Sequence, residues 1–306
     1  METAVPTRNS VTTITRSAES SPMRRMTGMH PFPGVESRPI GSMGARGEND
    51  MTLDAGKTVT ATPLLSLGRW WWVCIGLGAL FWAAGLFLWA QQASGASIDQ
   101  AVLFHCDPLR QADVWAVRTA RWLTSYGMTA ITAIYVLLLL LGSRFKQFEL
   151  AAGLYLLVIF SFGLSGIGGD LLKELLARPR PTVTYAGQVM VMSEASTPAL
   201  PSGHATKSLA LALPLLLLAP GRSLFQRGIK ALILIMALGV GSSRVVLGAH
   251  YLSDVLAGIG TALVGLPPAM IFANLLLRRI RPEQLPRLRL VWGLLLVVLT
   301  CLFALM

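Results

Sequence analysis

Charged side chains are scarce in this chain. They make up 13% of its 306 residues, about half the share of roughly 25% typical of soluble domains. A soluble fold of this length could bury a sizeable core, but so few charges cannot solvate its surface. That argues against a water-soluble globular enzyme and against a disordered scaffold. Cysteine is equally thin. Cys74, Cys106 and Cys301 form no CxxC pair, so neither a disulfide framework nor a zinc site is indicated. Cys74 and Cys301 sit in apolar runs, and Cys106, beside His105, is read as a packing residue. No stretch alternates like a barrel strand, no internal repeat is evident, and no apolar segment near Met1 marks a secretory signal.

What is present is positive charge and long apolar runs. The 26 Lys and Arg against 15 Asp and Glu give a net charge of +11. By itself that would suggest a nucleic-acid binder, so the position of each charge matters. Residues 1–68 are rich in Ser, Thr, Gly, Pro and Met, carry near-balanced charge and have no apolar period. They are expected to be a disordered cytoplasmic tail, because they cannot bury enough apolar area to offset chain entropy. From Trp70 onward, apolar runs recur near 70–90, 122–142, 150–172, 204–220, 229–248, 252–277 and 289–306. A hydrocarbon core of roughly 30 Å needs about 20 helical residues to cross it, so these predict seven spans, the fourth and last short. Trp70, Trp71 and Trp72 after Arg69 read as an interfacial belt. Pro214, Pro267 and Pro268 fall inside spans and predict kinks rather than breaks. Gly163, Gly166 and Gly168 are candidates for close helix packing.

The bases mark the orientation. Arg144, Lys146, Arg222, Arg227, Lys230, Arg278, Arg279, Arg281, Arg287 and Arg289 lie in the loops after spans 2, 4 and 6, against only Glu149 and Glu283. Short loops rich in Lys and Arg stay cytoplasmic. The loops after spans 1, 3 and 5 therefore face outward, and most of the net charge is a topology signal rather than a nucleic-acid patch. In the first outward loop, Asp113 to Trp122 is expected to form an amphipathic helix on the membrane surface.

Three charged clusters fall on that outward side. The first is Lys173-Glu-Leu-Leu-Ala-Arg178-Pro-Arg180-Pro181. Its prolines stop span 3, leaving Lys173 on the last turn and Arg180 just beyond it. The second is Pro201-Ser202-Gly203-His204 at the start of span 4. Ser202 is a good N-cap type, Gly203 allows close backbone approach, and a helix N-terminus binds anions. The third is Ser243-Arg244-x5-His250-x3-Asp254. His250 and Asp254 are i and i+4, on one helix face, and Asp254 can hold one ring nitrogen protonated while the other keeps a lone pair. An acid at the start of an apolar span is a functional candidate by default. Together the clusters suit a phosphate ester. Lys173, Arg180 and Arg244 would neutralise the phosphoryl oxygens, Ser202 and the Gly203 N–H would complete the cradle, His250 would attack phosphorus, and His204 would protonate the departing oxygen. No carboxylate cluster offers a magnesium site, so neither a metal nor another cofactor is implied.

K-x6-RP, PSGH and SR-x5-H-x3-D, in this order, resemble the three-part signature of the type 2 phosphatidic acid phosphatases. These are integral-membrane lipid phosphate phosphatases of the acid phosphatase and vanadium haloperoxidase superfamily. The resemblance implies an all-α, polytopic transmembrane bundle with a six-helix phosphatase core over 69–277; the basic loop and extra span in 278–306, read from the apolar run at 289–306, lie outside that pattern. It implies metal-independent hydrolysis through a phosphohistidine on His250, with His204 as general acid and Asp254 as orienting carboxylate. The expected partners are the bilayer and a phospholipid or isoprenoid diphosphate substrate, at the outer face of a bacterial inner membrane. Two other readings stay open at this point: a phosphotransferase using the same histidine, and a non-catalytic transporter or scaffold that only binds anionic lipid.

Overall fold

The computed structural model describes residues 65–94, 97–146, 149–192 and 196–305. The expected tail lies outside them, except for its last four positions. There the Leu65 backbone exchanges two hydrogen bonds of 2.9 Å with the Asn274 amide, and Leu67 is buried. The chain is docked onto the membrane body before the first span begins.

The described residues are helical, with no strand among them. In chain order the helices are α1 (Trp70–Ala90), α2 (Ile98–His105), α3 (Asp107–Gln111), α4 (Trp115–Arg144), α5 (Ala152–Leu176), α6 (Pro181–Thr184), α7 (Gly203–Leu218), α8 (Leu224–Val246), α9 (Leu252–Leu277) and α10 (Leu285–Leu305). Six of them, α1, α4, α5, α8, α9 and α10, are long and apolar enough to cross a bilayer, and α7 is a shorter apolar helix. The protein is an integral membrane protein built as an all-α bundle. Its outer helices carry apolar side chains on exposed faces, among them Trp72, Leu80 and Phe87 on α1, as lipid contact requires.

Helix α7 is the pivot. It packs against α5, α8 and α9 and is buried along most of its length. Helix α9 lies between α1, α5 and α7, while α10 rests on α4 and α5. Both proline-bearing helices run through Pro214 and through Pro267 and Pro268. Small residues set the closest approach, but not the ones expected. Gly163 and Gly168 face open space, and Gly166 lies against the Lys207 side chain. Backbone comes close at other glycines on α9: a Cβ on Gly260 would come 2.7 Å from the Gly78 carbonyl oxygen of α1, and one on Gly258 would come 2.8 Å from the Ser202 carbonyl oxygen.

The loop after the first span also differs from expectation. Trp115 to Trp122 is not a separate surface helix but the first two turns of α4, with Val117 and Ala120 turned inward. The short α2 and α3 occupy the loop instead. Ser97 caps α2 by accepting the Gln100 N–H, and Asp107 with Pro108 opens α3. Arg110 at the end of α3 is fully buried. It donates to the Leu103 and Val246 carbonyls and to Asp107, which in turn accepts the Met190 N–H at 2.7 Å. Burial works against ionisation of Asp107, but the Met190 N–H and the Arg110 guanidinium outweigh it and hold the carboxyl below its ordinary value. This pair ties the loop after α6 to the end of α8, the segment that leads into His250.

Candidate active site

The first cluster is shaped by how α5 ends. Ala177 takes a left-handed conformation (φ +45°), and its N–H closes onto the Lys173 carbonyl. Glycine usually fills this position, so alanine carries some strain there. The turn sends the neighbouring basic residues to different places. Lys173 stays on the helix, 9% exposed, with its ammonium 2.9 Å from Asp170. The same ammonium lies 3.1 Å from where a Cβ on Gly203 would sit, so it covers the N-terminus of α7. Arg180 donates to the Thr197 carbonyl and hydroxyl and to the Ala249 carbonyl.

At the second cluster, Ser202 stands at the N-cap position of α7 but its side chain makes no capping bond. Its N–H donates to the Asp254 carbonyl at 2.9 Å, and its carbonyl accepts from Thr206. The Ser202 hydroxyl is buried and has no hydrogen-bond partner among the described residues. The expected cap is therefore replaced by a hydroxyl held in reserve at a helix N-terminus, whose first N–H groups also lack intrahelical partners. The His204 ring has no hydrogen bond among the described residues and meets Phe303 of α10 edge-on at 5.7 Å. Arg244, His250, Lys207 and Lys173 all act on it electrostatically.

The third cluster turns at Gly248, whose positive φ of 72° lets the chain double back after α8. A Cβ there would meet the Met190 carbonyl at 3.2 Å and the buried Arg110. The turn lets both Ala249 and His250 donate to the Arg244 carbonyl. Arg244 itself is buried and donates to the Thr124 hydroxyl of α4 at 3.0 Å. His250, 2% exposed, lies between two partners. Its Nδ1 is 3.2 Å from Asp254 Oδ2, and its Nε2 is 3.2 Å from Arg180 Nη1. Guanidinium is a donor only. Nε2 must therefore carry the lone pair, and the ring proton belongs on Nδ1, shared with Asp254. Burial, reinforced by Arg180 and Arg244 and opposed by Asp254, pulls the His250 pKa down to about 4. The ring is neutral at neutral pH.

The three clusters thus meet through Lys173 over Gly203, Ser202 on the Asp254 backbone, and Arg180 on His250. The sequence reading did not single out the residues behind them. Arg178 is fully buried and donates from Nη1 to Asp254 Oδ1 at 2.5 Å and from Nη2 to Asp99 Oδ2 at 2.9 Å. Ser253 joins the same network through both aspartate-side contacts: it accepts from Arg178 at 2.6 Å and donates to Asp99. The guanidinium also lies 4.2 Å from the Tyr251 ring and 5.3 Å from Trp89. An arginine before a proline at the end of a membrane span reads as an anchor; nothing in its spacing announces a fully buried position. No group of three or more His, Cys, Asp or Glu gathers as metal ligands among the described residues.

Fold and site together define a class: a polytopic helical membrane protein with a cluster of cationic and histidine side chains built from α5, α7 and the segment between α8 and α9. Residues 154–275 match the family described as the PAP2 superfamily. That stretch includes all three clusters. Among solved structures, the crystal structure of the first transmembrane PAP2 type phosphatidylglycerolphosphate phosphatase, from Bacillus subtilis, is similar at 22% identity and a TM-score of 0.48, covering 67% of this chain and 96% of that one. No curated protein matches.

Proposed function

We propose that the protein hydrolyses a lipid phosphate monoester or isoprenoid diphosphate at the non-cytoplasmic face, through a phosphohistidine on His250. The observation that carries this reading is the environment of His250. Asp254 fixes the Nδ1 proton, and the lone pair on Nε2 points at Arg180, a cation suited to a phosphoryl oxygen. Substrate would take over the Arg180 N–H that now occupies Nε2 and so arrive beside the nucleophile. Nε2 then forms a bond to phosphorus while the phosphorus–oxygen bond to the leaving group breaks, and His204 gives that oxygen its proton. In the second half, His204 takes a proton from water, the water oxygen bonds to phosphorus, and the phosphorus–nitrogen bond breaks to release phosphate.

Lys173, Arg180 and Arg244 would stabilise the charge on the phosphoryl oxygens, with the Ser202 hydroxyl and the Gly203 N–H completing the cradle. The nearby carboxylates are already engaged by bases, Asp254 by Arg178 and His250 and Asp170 by Lys173 and Lys207. This favours cation-assisted over metal-assisted chemistry. The basic loops on the opposite side support the outward placement. Purified protein should release phosphate from a lipid phosphate in the presence of EDTA, and acid quenching should trap labelled phosphate on the chain. His250→Ala should abolish both signals. Full phosphate release from correctly inserted His250→Ala and His204→Ala variants would refute the proposal.

A further inference from the structure

Lys207 is a cation beside these clusters that the mechanism above leaves without a role. It lies three residues after His204, on the same face of α7, in a helix that carries no other Lys, Arg, Asp or Glu. An ionisable side chain inside such a helix is costly unless it serves a site. Lys207 is only 12% exposed and reaches Asp170 on α5 at 3.3 Å. Asp170 is the carboxylate that also holds Lys173, at 2.9 Å, and it is half exposed. Two ammonium groups therefore share one carboxylate, and the pair keeps an excess positive charge beside Arg180 and Arg244.

The surroundings are shaped for these side chains. Gly166 leaves a slot for the Lys207 stem, since a Cβ there would come 2.8 Å from Cε. Gly203 does the same for the Lys173 ammonium. The Phe303 ring of α10 meets both Lys207, at 4.0 Å, and His204. The same ring therefore borders the candidate general acid and this second pair of cations.

Resting on the phosphatase reading above, we infer that Lys207 forms a second anion subsite, next to the Lys173 of the phosphoryl cradle, that takes the inner phosphate of a lipid diphosphate, with Asp170 as its resting counter-ion. The terminal phosphoryl group then faces His250, and the bond that breaks joins the terminal phosphorus to the bridging oxygen. The leaving group is a lipid monophosphate, and the charge that develops on it falls beside Lys207. A monoester offers no group to this subsite, so the chain is a diphosphate-preferring enzyme.

The test compares farnesyl diphosphate with farnesyl monophosphate, which share one lipid chain, in the same detergent micelles. Wild-type protein should show a higher kcat/KM for the diphosphate. Lys207→Met removes one charge-assisted hydrogen bond, so the diphosphate-to-monoester ratio of kcat/KM should fall by about tenfold. Asp170→Asn changes a half-exposed side chain and leaves both lysines without their competitor, so the same ratio should rise. A ratio unmoved by either variant, or moved the opposite way by Asp170→Asn, overturns the subsite while leaving the phosphatase reading intact. Wild-type protein that releases phosphate from neither substrate refutes that reading and this inference with it.

Discussion

Replacing Arg178 by methionine tests whether the candidate nucleophile is positioned from behind. The guanidinium is fully buried between two carboxylates that are also fully buried, at 2.9 Å from Asp99 and 2.5 Å from Asp254. Methionine keeps much of the apolar stem but leaves both acids without their cation. Removing one partner of a buried ionic cluster typically costs about 3–5 kcal/mol, because the remaining charge is left uncompensated. In a chain of this size each kcal/mol is worth roughly 2–4 °C, so the unfolding midpoint in detergent should fall by roughly 6–20 °C. The kinetic effect is separable from the loss of stability. Asp254 Oδ1 would lose its donor, and the carboxylate that orients His250 Nδ1 would be free to turn. Misplacing a reacting group by about 1 Å costs on the order of a hundredfold, so below the unfolding transition kcat should drop by about that much while KM moves little. Asp99→Asn, which leaves the Arg178–Asp254 contact in place, should lower the midpoint less and keep most of kcat. An Arg178→Met protein with wild-type midpoint and wild-type kcat would show that this network neither stabilises the bundle nor positions the histidine.

Stability should also depend on pH through His250, whose pKa of about 4 in the folded protein lies below the value near 6.5 of an unfolded chain. Between those values the unfolded state binds a proton that the folded state does not, so this contribution rises with pH across the window and is lost as pH falls from about 6.5 toward 4. At about 1.4 kcal/mol per pH unit, it amounts to about 3 kcal/mol, and His250→Gln should flatten that part of the unfolding profile; an unchanged slope would refute it. Ser202→Ala should leave the unfolding midpoint within about 1 °C, because the hydroxyl has no partner to lose, yet raise KM for the phosphate substrate; unchanged kinetics would remove Ser202 from the cradle. Gly260→Ala should destabilise the bundle by about 1–3 kcal/mol, since its Cβ would press on the backbone of α1, and thermal unfolding of the inserted protein measures this directly.

The parts of this molecule that were legible in its sequence are those set by solvent. The spans are visible because hydrocarbon tolerates only long apolar helices, and each apolar run corresponds to a helix, with boundaries that shift by a few residues. The second span is the exception. Trp115 to Trp122 alternates polar and apolar residues, as an interfacial helix does, and nothing local shows that α4 continues through it unbroken. The three clusters stood out because charge is rare beside the spans. The contacts between them did not, since residues 173, 203 and 250 come together only when α5, α7 and the turn before α9 pack.

The less legible layer is the support for the site, and it was hidden for a physical reason. Arg178 and Arg180 are two residues apart with a proline after each, and the sequence pointed to a role for Arg180 alone. Both follow the left-handed turn at Ala177, a position where glycine would have signalled the reversal and alanine does not. Beyond it, one arginine reaches Asp99 and Asp254 beneath the histidine and the other reaches the histidine itself. Asp99 was overlooked because its partners are 79 and 154 residues away in the chain, beyond the reach of any periodicity. The same holds for Phe303, whose span read as an appendage to a six-helix core. Its ring touches both His204 and Lys207, so α10 contributes a wall to the candidate site as well as contact with lipid.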